Sequence, residues 1–203
     1  MNFRHLTLAA TLAALISPSV SAQEFYLGGG FAYSSGKSEG IVRGHKSDLQ
    51  AGMVTLILGQ RFAAGNGFWG WETSADLSFG AETKQVGTGG TCSADGAAGP
   101  YLCQHDATLR IVGIYGTPVG QGMEVYGSLG LGMMLGDYAD NTDSVESAYT
   151  YGLTVGVGLN REFGNGLIGR GEIIYDNFSS DTQEFYDSDY TGTTVRLTLL
   201  RKF

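Results

Sequence analysis

The sequence closes on Thr-Gly-Thr-Thr-Val-Arg-Leu-Thr-Leu-Leu-Arg-Lys-Phe, residues 191–203. Apolar and mostly polar side chains alternate along this stretch, which is the period-two pattern of a strand with one apolar face. Similar alternation recurs along most of the chain, so we predict that residues 191–203 form the closing strand of a larger sheet. The apolar parity holds Val195, Leu197, Leu199 and Phe203, and the other parity holds Thr194, Arg196, Thr198 and Lys202.

The first 22 residues have the pattern of a secretory signal peptide. A short polar and basic segment at residues 2–5 precedes an apolar run at residues 6–16, and Val20-Ser21-Ala22 forms a small-residue cleavage site. The apolar run is shorter than the roughly 20 residues of a membrane-spanning helix, so an uncleaved anchor is the lesser alternative. We therefore expect a signal peptide at 1–22 and one mature domain at 23–203.

The composition excludes some classes of partner. The chain has 12 Lys and Arg against 20 Asp and Glu, for a formal net charge of −8, which argues against a nucleic-acid partner. Glycine is abundant, with 33 of 203 residues, whereas there are only 3 prolines, so the composition is not that of a disordered linker. Tyr and Phe are also frequent, as is typical of strands.

The mature chain divides into eight segments of alternating hydrophobicity. Each is about as long as the 9–11 residues that a tilted strand needs to cross a bilayer. Both faces of the second segment are apolar, so its facing is left open. We predict strands at 24–34, 47–61, 68–80, 107–116, 123–135, 147–161, 167–178 and 191–203, with long connections at 35–46, 81–106, 136–146 and 179–189.

The connections alternate between long and short. Short turns on one side of a sheet and long loops on the other are typical of a transmembrane β-barrel, with the short turns in the periplasm. Glycine and asparagine supply the positive φ that tight hairpins need. The short turns share the sequences Gly65-Asn66-Gly67, Gly120-Gln121-Gly122 and Gly164-Asn165-Gly166.

The polar parity of the predicted strands carries eight charged residues. Each would destabilise the fold by up to about 4 kcal/mol if it faced lipid, so we expect these residues to face a narrow lumen and to pair there. A barrel of eight strands has room inside for little more than side chains, which favours a satisfied ion-pair core. A gated water path is the alternative, and the interior glycines leave open whether a cavity exists. The eight residues are Glu72, Asp76, Arg110, Glu124, Arg170, Glu172, Asp176 and Arg196.

The signal peptide, the Gly-rich turns, the long loops and a last strand ending on Phe203 together resemble the small eight-stranded outer-membrane proteins, namely the OmpA transmembrane domain, OmpX and the opacity-type family. The resemblance implies an all-β, antiparallel, up-and-down barrel in a Gram-negative outer membrane. It also implies that the barrel-assembly machinery reads the closing strand through Val195, Leu197, Leu199 and Phe203. Arg201 departs from the family pattern, and we expect it to snorkel at the periplasmic rim.

The predicted loops carry three further candidate sites. Cys92 and Cys103 lie close together in one loop, and we expect a disulfide there because an exported chain meets an oxidising compartment; free or metal-bound thiols are the alternative. His45-Lys46-Ser47 provides the His-x-Ser element that the resemblance associates with lipid A deacylases, although this evidence is weak and no enzyme is expected.

Acidic and aromatic residues cluster in the last two predicted loops. Oxygen ligands of this kind suit Ca²⁺ or Mg²⁺ bridges to lipopolysaccharide, but a solvated surface is favoured, and no metal or other cofactor is expected. The aromatic residues among them suggest an adhesive surface. The acids are Asp137, Asp140, Asp143, Glu146, Asp181, Glu184, Asp187 and Asp189, and the aromatics are Tyr138, Phe185, Tyr186 and Tyr190.

The sequence thus favours a monomeric outer-membrane barrel with a structural or surface-interaction role through its extracellular loops. A narrow porin for small solutes is the first alternative, and a lipid A esterase is the second. The expected partners are outer-membrane lipid and lipopolysaccharide, the barrel-assembly machinery and an extracellular ligand bound through the loops.

Overall fold

The computed structural model describes residues 23–40, 46–85, 101–139, 145–179 and 188–203. Across these ranges, eight antiparallel strands close into a barrel in which each strand pairs with its neighbours in sequence and the last pairs with the first. This confirms the predicted all-β, up-and-down barrel. The strands are β1 (Gln23–Gly40), β2 (Lys46–Ala64), β3 (Gly67–Gln85), β4 (Tyr101–Gly120), β5 (Met123–Ala139), β6 (Val145–Gly164), β7 (Leu167–Ser179) and β8 (Ser188–Lys202).

The strands are longer than predicted, at 13 to 20 residues. Residues 35–40, 81–85, 101–106, 136–139 and 188–189 were predicted as loop, which is wrong, since they continue β1, β3, β4, β5 and β8. Their polar and glycine-rich sequence resembles a loop, but the backbone ladder does not depend on side-chain polarity. Lys37, for example, lies in register with Asp48 of β2 and Thr191 of β8.

The short turns lie at one end of the barrel, which we call the turn end. Gly65, Gln121 and Asn165 have φ of 58°, 53° and 52°, so the predicted need for positive φ is confirmed in all three turns. Both ends of the described chain meet here, because the amide of Phe203 donates to the carbonyl oxygen of Phe25 at 2.9 Å. We call the opposite end, towards which the long connections run, the loop end.

The outer surface of the barrel is apolar around its whole circumference. Aromatic contacts on this face include the stacked rings of Phe62 and Trp69, whose centroids lie 4.5 Å apart. An apolar surface of this extent is not stable in water, and it is the surface that a lipid-embedded barrel presents. Every strand contributes exposed aliphatic residues, among them Leu27, Leu56, Leu77, Ile111, Leu131, Val155, Ile173 and Leu197. No helix in the described ranges is long and apolar enough to cross a membrane.

The facing of β2, which the sequence leaves open, is settled by the structure. Val54 and Leu56 lie on the outer surface, whereas Met53, Thr55 and Ile57 point inward and are buried. Both parities of this strand are apolar because its inward side chains pack into the apolar parts of the lumen.

Candidate functional site

The lumen is filled by three layers of side chains. Apolar residues form a layer near each end, and charged residues lie between them. The turn-end layer consists of Tyr26, Ile57, Phe68, Ile114, Tyr126, Ile168 and Leu200, and the loop-end layer consists of Leu49, Met134, Phe178 and Tyr190. The charged layer consists of Glu72, Asp76, Arg110, Arg170, Glu172, Asp176 and Arg196, all of which are buried.

Arg110 is the centre of the half of the charged layer nearer the loop end. Its Nε and Nη2 donate to the two carboxylate oxygens of Asp176 at 3.0 and 2.6 Å, and its Nη1 donates to Asp76. Asp76 also accepts a hydrogen bond of 2.6 Å from the hydroxyl of Thr55. One guanidinium group therefore joins strands β3, β4 and β7 across the lumen, in the bidentate geometry that gives the strongest ion pairs.

The half of the charged layer nearer the turn end is built on two arginines. Arg170 donates to Glu72, which also accepts a 2.9 Å hydrogen bond from the hydroxyl of Tyr26. Arg196 donates to Glu172 through Nε at 3.0 Å and through Nη2 at 2.6 Å. Longer contacts from Arg196, of 3.6 Å to Asp76 and 3.8 Å to Glu72, connect the two halves.

Aromatic rings surround the arginines on the turn-end side. The guanidinium carbon of Arg170 lies 4.8 Å from the ring centre of Tyr126 and 5.5 Å from that of Tyr26. Such cation–π contacts stabilise a desolvated guanidinium without a further carboxylate. The charged layer is thus enclosed by apolar groups, where the loss of one charged partner is strongly destabilising.

Glu124 is the predicted lumen residue that the structure places outside the charged layer. It lies at the turn end and is partly exposed, and it accepts hydrogen bonds from Arg61 at 2.8 Å and from Asn160 at 3.3 Å. Its partner Arg61 is buried, with its guanidinium carbon 4.0 Å from the ring centre of Phe68. The sequence analysis missed Arg61 because the facing of β2 was undecided; the inward parity of Met53 continues to position 61.

The interior glycines provide space for aromatic rings. An added Cβ at Gly158 would overlap the ring of Tyr126, and one at Gly192 would overlap the ring of Tyr190. These glycines make room for side chains, which decides the alternative that the sequence left open. The same relation holds between Gly59 and Tyr26, Gly36 and Tyr190, Gly116 and Phe68, and Gly132 and Phe178.

The loop-end layer closes the lumen above the charged layer. The rings of Phe178 and Tyr190 stack with centroids 6.0 Å apart, and His105 packs edge-on against Tyr190 at 6.1 Å. The Tyr190 hydroxyl lies 3.2 Å from the hydroxyl of Ser34. Tyr190 was predicted among the adhesive loop aromatics, which is wrong, since its side chain is 1% exposed and points into the lumen.

Solved structures with the same architecture were found at low sequence identity. OprG from Pseudomonas aeruginosa matches with a TM-score of 0.58 at 16% identity, covering 90% of this chain and 97% of that one. The protein is an eight-stranded barrel of the outer-membrane type. Ail from Yersinia pestis matches with a TM-score of 0.52 at 14% identity, covering 91% of this chain and 100% of that one. The corresponding values for the neisserial surface protein NspA are 0.52, 10%, 88% and 97%. No family model and no curated protein matches the sequence.

The closing strand of this barrel places its predicted assembly residues on the outer face. Val195, Leu197 and Leu199 are exposed there, and Phe203 is 78% exposed at the turn end. Arg201 lies at the same end, where its Nη1 donates to the backbone carbonyl of Asn165. An arginine therefore fits at this rim, as the sequence analysis expected.

Several predicted sites fall outside the described side chains. In the described part of the chain, no group of three His, Cys, Asp or Glu residues is placed to hold a metal ion. The disulfide, the His-x-Ser element and the acidic-loop metal site therefore stay predictions. Outside the described residues lie Cys92, His45, Asp140, Asp143, Asp181, Glu184, Phe185, Tyr186 and Asp187, and the side chains of Cys103, Ser47, Tyr138 and Glu146 are not described either.

Proposed function

We propose that this protein is a monomeric, non-enzymatic outer-membrane barrel that acts as a rigid platform for its extracellular loops. The observation that carries the proposal is the layered lumen. Two apolar layers enclose a network of paired charges, and the interior glycines are occupied by rings. A barrel filled in this way has no working surface inside it, which leaves the loop end as the surface available for interaction.

The orientation follows from the two ends of the barrel. In proteins of this architecture the short turns face the periplasm and the long loops face outward. The outer apolar band then contacts membrane lipid, the loop end meets lipopolysaccharide and any extracellular ligand, and the closing strand offers Val195, Leu197, Leu199 and Phe203 to the barrel-assembly machinery. Ail is named for attachment and invasion and NspA is named as a surface protein, so this fold serves surface roles elsewhere.

A narrow porin is the second candidate, and one feature of the charged layer favours it. Arg196 contacts Asp76 and Glu72 at 3.6 and 3.8 Å, beyond hydrogen-bond length, so these pairs exchange partners more easily than the bidentate ones. Conduction would also require the stacked rings of Phe178 and Tyr190 to separate.

The loop proposal is tested in cells that carry the intact protein, a loop-trimmed variant or no copy. In the trimmed variant, residues 86–100 and 180–187 are each replaced by Gly-Asn-Gly. A matched control keeps the length and composition of both loops but scrambles their order. Heat-shifted gel mobility shows that each barrel is folded. We expect the intact protein alone to restore adherence to surfaces coated with matrix or serum proteins, and all three to restore detergent resistance.

The alternatives give different results in the same cells. Adherence that the trimmed and scrambled variants restore equally well would contradict a loop-based role. A change in the mass of lipid A that depends on His45 and Ser47 would contradict the non-enzymatic role and point to the esterase. Light scattering of the purified barrel tests the monomer, for which we expect the mass of one chain.

A further inference from the structure

The outer face carries a groove over the first half of β7, on the turn-end side of the barrel. Its floor is the backbone at Gly169 and Gly171, where outward side chains are missing. The groove has a volume of about 570 Å³ and continues to Gly29 on β1. Its walls and ends are formed by Leu159, Arg161 and Phe163 of β6, Leu197 and Leu199 of β8, and Phe31 of β1.

Two arginines flank this groove where it reaches the turn end. Arg161 lies in register with Gly169 on the β6 side, and Arg201 lies in register with Leu167 on the β8 side. Both are exposed on the outer surface, where the Arg161 guanidinium lies 6.0 Å from the ring centre of Phe163 and Arg201 donates to the Asn165 carbonyl. Every other arginine in the described ranges points into the lumen, so the outward positive charge of the arginines is concentrated beside β7.

We propose that this groove binds one anionic phospholipid of the leaflet at the turn end. An acyl chain lies over Gly169 and Gly171 between the leucines of β6 and β8, and the phosphate meets Arg161 and Arg201 at the interface. Guanidinium groups bind phosphate with two parallel hydrogen bonds, and a cation at the membrane rim attracts anionic headgroups. The apolar floor and the charged rim thus match the two parts of one phospholipid.

A second copy of the barrel fits the same face less well. Two parallel barrels related by a two-fold axis along the membrane normal would place this face against itself. Each arginine pair would then lie at the same depth as the pair of the other copy, and like charges would oppose each other. A phosphate group removes this repulsion.

The proposal is tested by native mass spectrometry of the refolded mature barrel with added phosphatidylglycerol. We expect one retained lipid per barrel. The bound fraction falls about tenfold in Gly171→Leu, which fills the groove, and by a similar factor in the double variant Arg161→Gln and Arg201→Gln. Diacylglycerol, which lacks the phosphate, is not retained.

Two control variants separate the groove from general effects on the outer face. Gly127 is also an outward glycine with open space around it, so Gly127→Leu adds the same side chain elsewhere and is expected to keep the lipid. Lys37→Gln removes an outward cation near the loop end and is also expected to keep it. Heat-shifted gel mobility confirms folding of each variant. Equal retention in all variants, equal loss in the controls, or a dimer that disappears in Gly171→Leu would overturn the proposal.

Discussion

The charged layer and the loop-end layer occupy neighbouring sections of the same lumen but are stabilised in opposite ways. In the charged layer, Arg110 holds Asp76 and Asp176 by directional hydrogen bonds, and every partner is buried. In the loop-end layer, Phe178 and Tyr190 pack as rings into space left by glycines. The charged layer therefore tolerates no loss of a partner, whereas the loop-end layer responds to changes in volume.

The difference teaches how a narrow barrel combines stability with closure. Paired charges fix the register of strands that would otherwise slide, since a shift by one residue would turn the charges towards lipid. The rings then seal the lumen without adding charge. Changes in the charged layer should lower the free energy of unfolding the most, and changes in the loop-end layer should lower it less.

The largest effect is expected for Arg110→Ala. The substitution leaves Asp76 and Asp176 buried without their cation, which should lower the free energy of unfolding by about 3–5 kcal/mol. Urea titration of the barrel in lipid vesicles, followed by tryptophan fluorescence and heat-shifted gel mobility, measures it. Arg201→Ala removes an exposed arginine from the rim and serves as the control, with an expected loss below about 1 kcal/mol. Equal losses in the two variants would show that the charged layer is not the more sensitive region.

A smaller effect is expected for Gly192→Ala in the loop-end layer. The new Cβ overlaps the ring of Tyr190, and overpacking of this kind lowers stability by about 1–3 kcal/mol. Gly127→Ala adds the same methyl group to open space on the outer face and should change stability by less than about 0.5 kcal/mol.

A double-mutant cycle sharpens this prediction. In a Tyr190→Phe background the hydroxyl that crowds position 192 is gone, so Gly192→Ala should be less destabilising than in the wild type. Strict additivity of the two substitutions would mean that Gly192 does not make room for the ring of Tyr190.

Tyr190→Phe alone should have a still smaller effect. It removes the hydroxyl that lies 3.2 Å from Ser34 and keeps the ring, so a loss of about 0.5–1.5 kcal/mol is expected. The same urea titration measures it. A loss as large as that of Arg110→Ala would contradict the view that the loop-end layer is stabilised by ring packing.

The smallest effect is expected at the turn-end rim. Lys202 contacts Glu162 at 3.1 Å and Glu24 at 3.3 Å, and both carboxylates are largely solvated. Lys202→Ala should therefore lower stability by no more than about 1 kcal/mol, and the difference should shrink at high salt. Urea titrations at two salt concentrations check this expectation, and a loss independent of salt would contradict it.

The sequence was sufficient to predict the barrel, because alternation reports directly which side chains face lipid. It also predicted seven of the charged residues that meet in the lumen, since Arg110, Asp176 and the others stand on the polar parity of their strands. Strand ends were less predictable. Beyond the apolar band, the backbone of residues 35–40 still pairs while its side chains are polar, so composition no longer reports structure.

The layers of the lumen could not be predicted from one strand at a time. The position of Tyr190 beside Phe178, and the fit of its ring against Gly192, depend on the register between strands and on which glycines lie opposite which rings. Arg61 was missed for a related reason, because a strand that is apolar on both faces gives no signal of its facing. These features are set by pairing across the barrel.

The closure of the lumen is tested most directly by single-channel conductance of the refolded barrel in a planar bilayer, with folding shown by heat-shifted gel mobility. The layered lumen predicts a silent bilayer for the wild type and for Arg201→Ala, which leaves both apolar layers intact. Stable, reproducible openings of the folded wild type would contradict closure, and the porin would then become the leading interpretation.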